Sequence, residues 1–147
     1  MSARGSYLRL KARVESLSEE EAWQRWRTAA AAATQEWEIV DGELEAGTGA
    51  ATLTLPSVIE LRSIGLEISR RSFDPPAVIA NRFSILGVVG NDEIAWIVSD
   101  PETGGVMELD GTDLKSPKGR RDSSFATLAH YLLFIHLYYC GNGMEES

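Results

Sequence analysis

The segment 83–110 constrains the fold most, because it holds three short apolar runs separated by two turn sequences. Apolar residues that alternate with a period of two are typical of β-strands. The first turn sequence is Gly90-Asn91-Asp92, and the second is Asp100-Pro101-Glu102-Thr103-Gly104, with proline where a type I turn favours it. We therefore predict an antiparallel meander with strands at 83–89, 93–99 and 105–110.

The second and third strands of this meander differ in their patterns. Residues 94–98 are apolar on both faces, which predicts a central strand covered on each side. In the third strand Met107 and Leu109 alternate with Glu108 and Asp110, which predicts a half-exposed strand nearer an edge.

Two apolar stripes with helical spacing lie in the segment 7–40. Ser18 and Glu21 have the spacing of a capping box, so a second helix should begin there. The segment is therefore a helical hairpin or one long helix that is locally weakened at Ser18. The first stripe is Tyr7, Leu10, Val14 and Leu17, and the second is Trp23, Trp26, Ala30, Ala33, Trp37 and Val40. We expect the tryptophans to pack on the core of the domain itself; the alternative is a groove for a partner.

The segments between these parts contain weaker signals. Residues 41–51 are glycine-rich and predict a loop, and residues 53–55 predict a short strand or an entry segment. Pro56 can open a short helix that ends at Gly65, with Val58, Leu61 and Ile64 on one face. Residues 111–121 predict a polar loop.

The last predicted element is an apolar helix that runs from Phe125 towards Gly141 and is capped by Asp122 or Ser123. Because it is apolar almost all round, we expect it to pack on the meander. The predicted fold is α+β: N-terminal helices, an antiparallel β-meander sheet and a C-terminal apolar helix packed on the sheet. We divide one compact domain into a helical segment and loop at 1–52, an α+β core at 53–141 and a flexible tail at 142–147.

The formal charge of −8 is concentrated in the middle of the chain. Residues 31–114 carry a net charge of −11, whereas the segments before and after them are slightly positive. Such a field repels the phosphate backbone of nucleic acids and attracts a basic protein. The single cysteine excludes an intramolecular disulfide, and the apolar stretch 125–140 is short for a membrane span. We therefore expect a cytoplasmic protein without membrane or direct nucleic-acid contacts.

Residues with catalytic or metal-binding potential are sparse. His136 and Cys140 share a helical face, as two metal ligands can, but no second pair with ligand spacing exists, and core packing is favoured. A Cys140 thiolate would lie at the unfavourable end of the helix dipole. The basic residues of 115–121 lack interleaved aromatics, which favours a solvated loop. We predict no enzyme activity, no catalytic residues, no metal and no cofactor.

The order of segments resembles the SUKH superfamily and, within it, the SUKH-4 group of immunity proteins. The resemblance covers roughly residues 53–140. It rests on these motifs: Leu55-Pro56, Leu61-Arg62-Ser63-Ile64-Gly65-Leu66, Phe73-Asp74-Pro75, the meander with the Asp100–Gly104 turn, and Ser123-Ser124-Phe125 before the terminal helix. The resemblance implies an α+β protein that binds a toxin of the same strain and blocks it, commonly a basic nuclease or nucleic-acid deaminase.

The hypothesis that follows is a bacterial immunity protein that neutralises its cognate toxin by stoichiometric occlusion. The alternative is a regulatory or scaffold protein that uses residues 7–40 to form a homo-oligomer or to hold a partner helix. The predicted partner-binding residues are acids of the meander, with a helical tryptophan as anchor. They are Asp92, Glu93, Asp100, Glu102, Glu108, Asp110, Asp113, Trp23, Trp26 and Trp37.

Overall fold

The computed structural model describes residues 3–40, 42, 44–46, 53–55, 57–69, 74, 77–90, 95–100, 105–110 and 124–140. The fold is α+β, as predicted. The helices are α1 (Ala3–Glu15), α2 (Glu19–Ala32), α3 (Ala77–Ala80) and α4 (Leu128–Tyr139), with a 3-10 turn at Arg62–Ile64. The strands are β1 (Trp37–Val40), β2 (Leu44–Ala46), β3 (Leu53–Leu55), β4 (Val58–Leu61), β5 (Leu66–Ser69), β6 (Ser84–Val89), β7 (Ala95–Ser99) and β8 (Val106–Asp110).

The N-terminal segment forms two helices, and the capping box between them is confirmed. The Glu21 N–H donates to the Ser18 Oγ, and the Ser18 N–H donates to the Glu21 carboxylate, each at 3.1 Å. The first bond satisfies one of the N–H groups that a helix leaves open at its start. These bonds hold the pKa of Glu21 below its ordinary value.

The second helical stripe is shorter than predicted. α2 ends at Ala32, and residues 37–40, placed on the same helix from the sequence, form β1. In β1 Trp37 is buried and Ile39 half-buried, whereas Glu38 and Val40 are exposed. That is the alternation of a strand with one covered face, and pairing with β4 outweighs the helical spacing of Trp37 and Val40.

The helix predicted after Pro56 is also a strand. Residues 58–61 form β4, in which Ile59 and Leu61 are fully buried. Only the 3-10 turn at Arg62–Ile64 remains helical, and Gly65 ends it with φ 67°, a conformation that favours glycine. The short strand at 53–55 is confirmed, but the predicted loop 41–51 contains β2, which pairs with β3.

A six-stranded antiparallel sheet forms the centre of the fold, in the order β1-β4-β5-β6-β7-β8. The last three strands are the predicted meander. β7 lies between two strands, and β8 lies at an edge, as their patterns predict. A register shift between Ile85 and Gly87 interrupts the β6–β7 ladder. β2 and β3 pair antiparallel in a separate two-stranded sheet.

The core lies between the sheet and a layer of three helices. α4 is the centre of that layer, since its residues 128–136 are all buried and it packs against α1, α2 and β8. One cluster joins residues of α1, α2 and α4 to the inner face of the sheet. The cap of α4 is Thr127 instead of the predicted Asp122 or Ser123: the Thr127 Oγ1 accepts from the His130 N–H at 3.3 Å.

Candidate partner-binding surface

Three glutamates form a line across three neighbouring strands. Glu38 of β1 is directly opposite Glu60 of β4, and Glu60 is directly opposite Glu67 of β5. In β4 and β5 these acids alternate with buried residues that face the helix layer, so the acids lie on the other face of the sheet. We call Glu38, Glu60 and Glu67 the acidic row.

The sequence around the acidic row repeats one short pattern. Each glutamate has an apolar residue on either side: Trp37-Glu38-Ile39, Ile59-Glu60-Leu61 and Leu66-Glu67-Ile68. The same pattern occurs at Leu44-Glu45-Ala46 and Met107-Glu108-Leu109, so it is typical of a strand but does not by itself identify the row. The first two copies also fit a helical spacing, which conceals their strand character.

The three carboxylates of the acidic row should repel one another, because they lie opposite each other on neighbouring strands. Like charges directly opposite each other on antiparallel strands destabilise the pair. Two neighbours offset part of this cost. Arg62 forms an ion pair with Glu38 and donates to the Gln35 carbonyl at 3.2 Å. The Ser69 hydroxyl donates to the Glu67 carboxylate at 3.0 Å. The described contacts thus give Glu38 and Glu67 polar partners, and the three carboxylates of the row favour a basic partner.

On β7 and β8 the same sheet face is apolar, and part of it packs against α3. Glu67 lies directly opposite Val88 of β6. Val88 lies opposite Trp96 of β7, and Trp96 lies opposite Leu109 of β8. Ile79 of α3 packs with Val98 and Leu109 in a second, smaller cluster. The face is therefore divided between an acidic part on β1, β4 and β5 and an apolar part beneath α3.

The structure describes only some of the predicted acids of the meander. Asp100 is half-buried, and its N–H donates to the Gly105 carbonyl at 2.9 Å across the turn. Asp110 is the last residue of β8. The other predicted turn and loop acids lie outside the described residues: Asp92, Glu93, Glu102 and Asp113.

Glu108 is placed differently from the exposed acid that the sequence predicts. Its side chain lies on the helix-facing side of β8, where the hydroxyl of the fully buried Tyr131 donates to it at 2.6 Å. Burial, and then the charge of Glu108, raises the pKa of Tyr131 well above its ordinary value, so the hydroxyl remains a donor. The carboxylate joins β8 to α4.

The tryptophans pack on the core of the protein itself, as we expected. Trp26 is 0% exposed and Trp37 is 2% exposed, so neither is accessible to a partner in this structure. Trp23 is half-buried and stacks on Trp26 with a centroid distance of 5.2 Å. Trp23 is thus the anchor candidate that reaches the surface.

The two histidines are structural in this arrangement. The Trp37 Nε1 donates to the His136 Nδ1 at 2.9 Å, and burial lowers the pKa of His136. The His130 Nε2 lies 2.7 Å from the Leu17 carbonyl, which can only accept, so that nitrogen carries a proton. His130 thereby ties α4 to the α1–α2 connection.

No cluster of three His, Cys, Asp or Glu that could hold a metal ion occurs among the described residues. The pKa of the Cys140 thiol is raised, first by burial and then by Glu36, so the reactive thiolate is disfavoured.

The chain matches no protein-family model, no curated protein and no solved structure. The resemblance to the SUKH superfamily therefore stays a prediction. Within the described residues, no helix is long and apolar enough to cross a membrane.

Proposed function

We propose that the protein is an immunity protein that binds a basic protein toxin and blocks it by stoichiometric occlusion. The observation that carries the proposal is the acidic row, in which three carboxylates are aligned on one sheet face. Their mutual repulsion should oppose folding. A surface that is unfavourable in the free protein is stabilised when an oppositely charged partner covers it.

The resemblance to the SUKH superfamily implies a nuclease or nucleic-acid deaminase as the toxin, and the charge of the acidic row fits that class. A nuclease or nucleic-acid deaminase must attract phosphates, so its substrate-binding surface is basic. An acidic protein that covers this surface excludes the substrate without any catalytic group of its own. Complementary charge also raises the association rate, which matters for a protein that must capture a toxin quickly.

The test uses the protein encoded in the neighbouring reading frame as the candidate toxin. Glu60→Lys in the centre of the acidic row should lower the association rate and reduce its dependence on salt. Glu20→Lys, an exposed acid in the first turn of α2, makes the same change in net charge and serves as the matched control. We expect the Glu20→Lys protein to bind as the parent does.

Reversal of Glu102 and Asp110 to lysine tests the predicted meander acids in the same assay. If affinity and salt dependence are unchanged by Glu60→Lys and by the meander reversals alike, charge complementarity is not how this protein recognises the candidate toxin. If no complex forms with the parent protein, the proposed function fails for that toxin.

A further inference from the structure

The outer edge of β1 presents backbone groups that no described residue satisfies. The Arg62 N–H donates to the Glu36 carbonyl at 3.1 Å, which fixes the phase of the β1–β4 ladder. In an antiparallel ladder, hydrogen-bonded pairs alternate with non-bonded pairs. Glu38 and Val40 therefore direct their N–H and C=O groups towards β4, and Ile39 directs its own away from the sheet. Within the described part of the chain, neither of these Ile39 groups has a hydrogen-bond partner.

Backbone hydrogen bonds satisfy the start of β1 and part of the opposite edge of the sheet. The Trp37 N–H donates to the Ala33 carbonyl at 2.9 Å, which closes β1 at its start. At the far edge of the sheet, the N–H of Val106 donates to the Phe125 carbonyl at 2.9 Å, and the N–H of Phe125 donates back at 2.7 Å. An unpaired edge is a template for a further strand, so an additional strand can pair with β1 at Ile39.

A cavity of about 370 Å³ lies between α2 and β1, on the helix side of this edge. It is lined by Arg27, Ala30, Ala31, Thr34, Trp37 and Ile39. The alanines leave space beside Ile39, and side chains directly opposite each other in an antiparallel pair lie on the same face. A residue opposite Ile39 would therefore direct its side chain into this cavity.

We propose that β1 accepts an extended segment of the partner protein as an additional antiparallel strand. The residue opposite Ile39 is apolar and enters the cavity, and its N–H and C=O bond to those of Ile39. The flanking residues of that strand lie on the other face, beside the acidic row, and are basic. The charge of the partner rests on the proposed function, whereas the strand addition rests on the backbone and the cavity.

A second copy of this chain is a poorer occupant of the edge. Pairing Ile39 with Ile39 of a second copy would bring the acidic rows of both copies onto one continuous sheet face. Each chain also carries a formal charge of −8. Like-charged surfaces disfavour such a contact, whereas a cationic strand gains from it.

The test uses a short blocked peptide of alternating lysine and valine, with the full-length protein. Titration followed by NMR should shift the Ile39 amide and slow its hydrogen exchange several-fold. Two N-methylated peptides provide matched controls, because methylation removes backbone donors without changing charge. Methylation of the valine amides, which face β1 in the proposed register, should abolish binding, and methylation of the lysine amides should leave it unchanged.

Equal binding of both methylated peptides, with unchanged exchange at Ile39, would overturn strand addition and leave a contact by charge alone. Absence of peptide binding would overturn it as well. Protection of Ile39 without peptide, in a dimer detected by sedimentation, would assign the edge to a second copy instead. If Glu60→Lys weakens toxin binding while the peptide test fails, the proposed function stands without this inference.

Discussion

Trp37 and His136 join the first strand of the sheet to the last helix by one buried hydrogen bond, from the indole Nε1 to the imidazole Nδ1. Because Nδ1 accepts this bond, the imidazole is neutral in the folded protein. Protonation of the His136 Nδ1 would turn it into a donor that faces the Trp37 indole N–H, which is also a donor. The protein therefore contains one buried interaction that acid removes.

The free energy of unfolding should consequently decrease as the pH falls below about 6.5, the ordinary pKa of histidine. Burial lowers the pKa of His136 in the folded state, so the unfolded chain takes up the proton first. The stabilisation is complete above the unfolded pKa and is lost as the pH falls through the lowered folded pKa. Urea titrations of the parent and of His136→Gln from pH 8 to pH 5 check this. Their difference should shrink as the pH falls, and a constant difference would contradict the prediction.

Gly87 of β6 lies opposite Ile68 of β5, where the backbone of β5 leaves no space for a side chain. A Cβ at Gly87 would lie 2.0 Å from the Glu67 carbonyl oxygen, which as backbone cannot move aside. Gly87→Ala should therefore lower the free energy of unfolding by about 3 kcal/mol or more. Gly65→Ala is the control: its φ of 67° should cost only about 1 kcal/mol. If urea unfolding gives similar losses of free energy for Gly87→Ala and Gly65→Ala, β5 and β6 can move apart at Gly87 to accept the methyl group.

At the scale of elements, local chemistry was readable from the sequence and long-range pairing was not. The capping box at Ser18 and the ending of the 3-10 turn at Gly65 follow from residues within one turn. β1 and β4 are different, since residues 37–40 and 58–61 have spacings that fit a helix equally well. Their strand character comes from pairing across about 20 residues of chain, and no local pattern encodes that pairing.

The same division applies to the candidate surface. The acidity of the middle segment was evident from the sequence, but the alignment of Glu38, Glu60 and Glu67 exists only once β1, β4 and β5 are in register. Conversely, Glu108 alternates with apolar residues as an exposed acid would, yet it faces Tyr131. Which face of an edge strand is covered depends on where α4 packs, and the alternation within β8 does not contain that information.

Two serines two positions apart test how much the N-terminal cap contributes to α2. Ser18→Ala removes the acceptor of the Glu21 N–H and should lower the free energy of unfolding by about 1 kcal/mol. Ser16→Ala removes only an exposed bond from the hydroxyl to the Arg13 carbonyl at 2.6 Å, and should change stability little. Urea denaturation of both variants gives the comparison. Equal effects would show that the cap is not what fixes the start of α2.

For the whole molecule, the acidic row should couple stability to the proposed binding, because the alignment that favours a basic partner should oppose folding. Proteins commonly retain such unfavourable groups at binding sites. The apolar part of the same sheet face packs against α3, and the opposite face is covered by α1, α2 and α4. The acidic row and the edge of β1 beside it are therefore the part of the sheet where function should oppose stability.

Glu60→Gln tests this opposition, because Glu60 lies between the other two acids. Removal of its charge should raise the free energy of unfolding by roughly 0.5 kcal/mol at low ionic strength, and by less in high salt. The same variant should bind a basic partner more slowly. Glu20→Gln is the control, because neutralising an acid in the first turn of a helix loses a favourable interaction with the helix dipole. Glu20→Gln should therefore be slightly destabilising and leave binding unchanged. If Glu60→Gln lowers stability at low salt, the acidic row does not oppose folding, and a binding role is not needed to explain it.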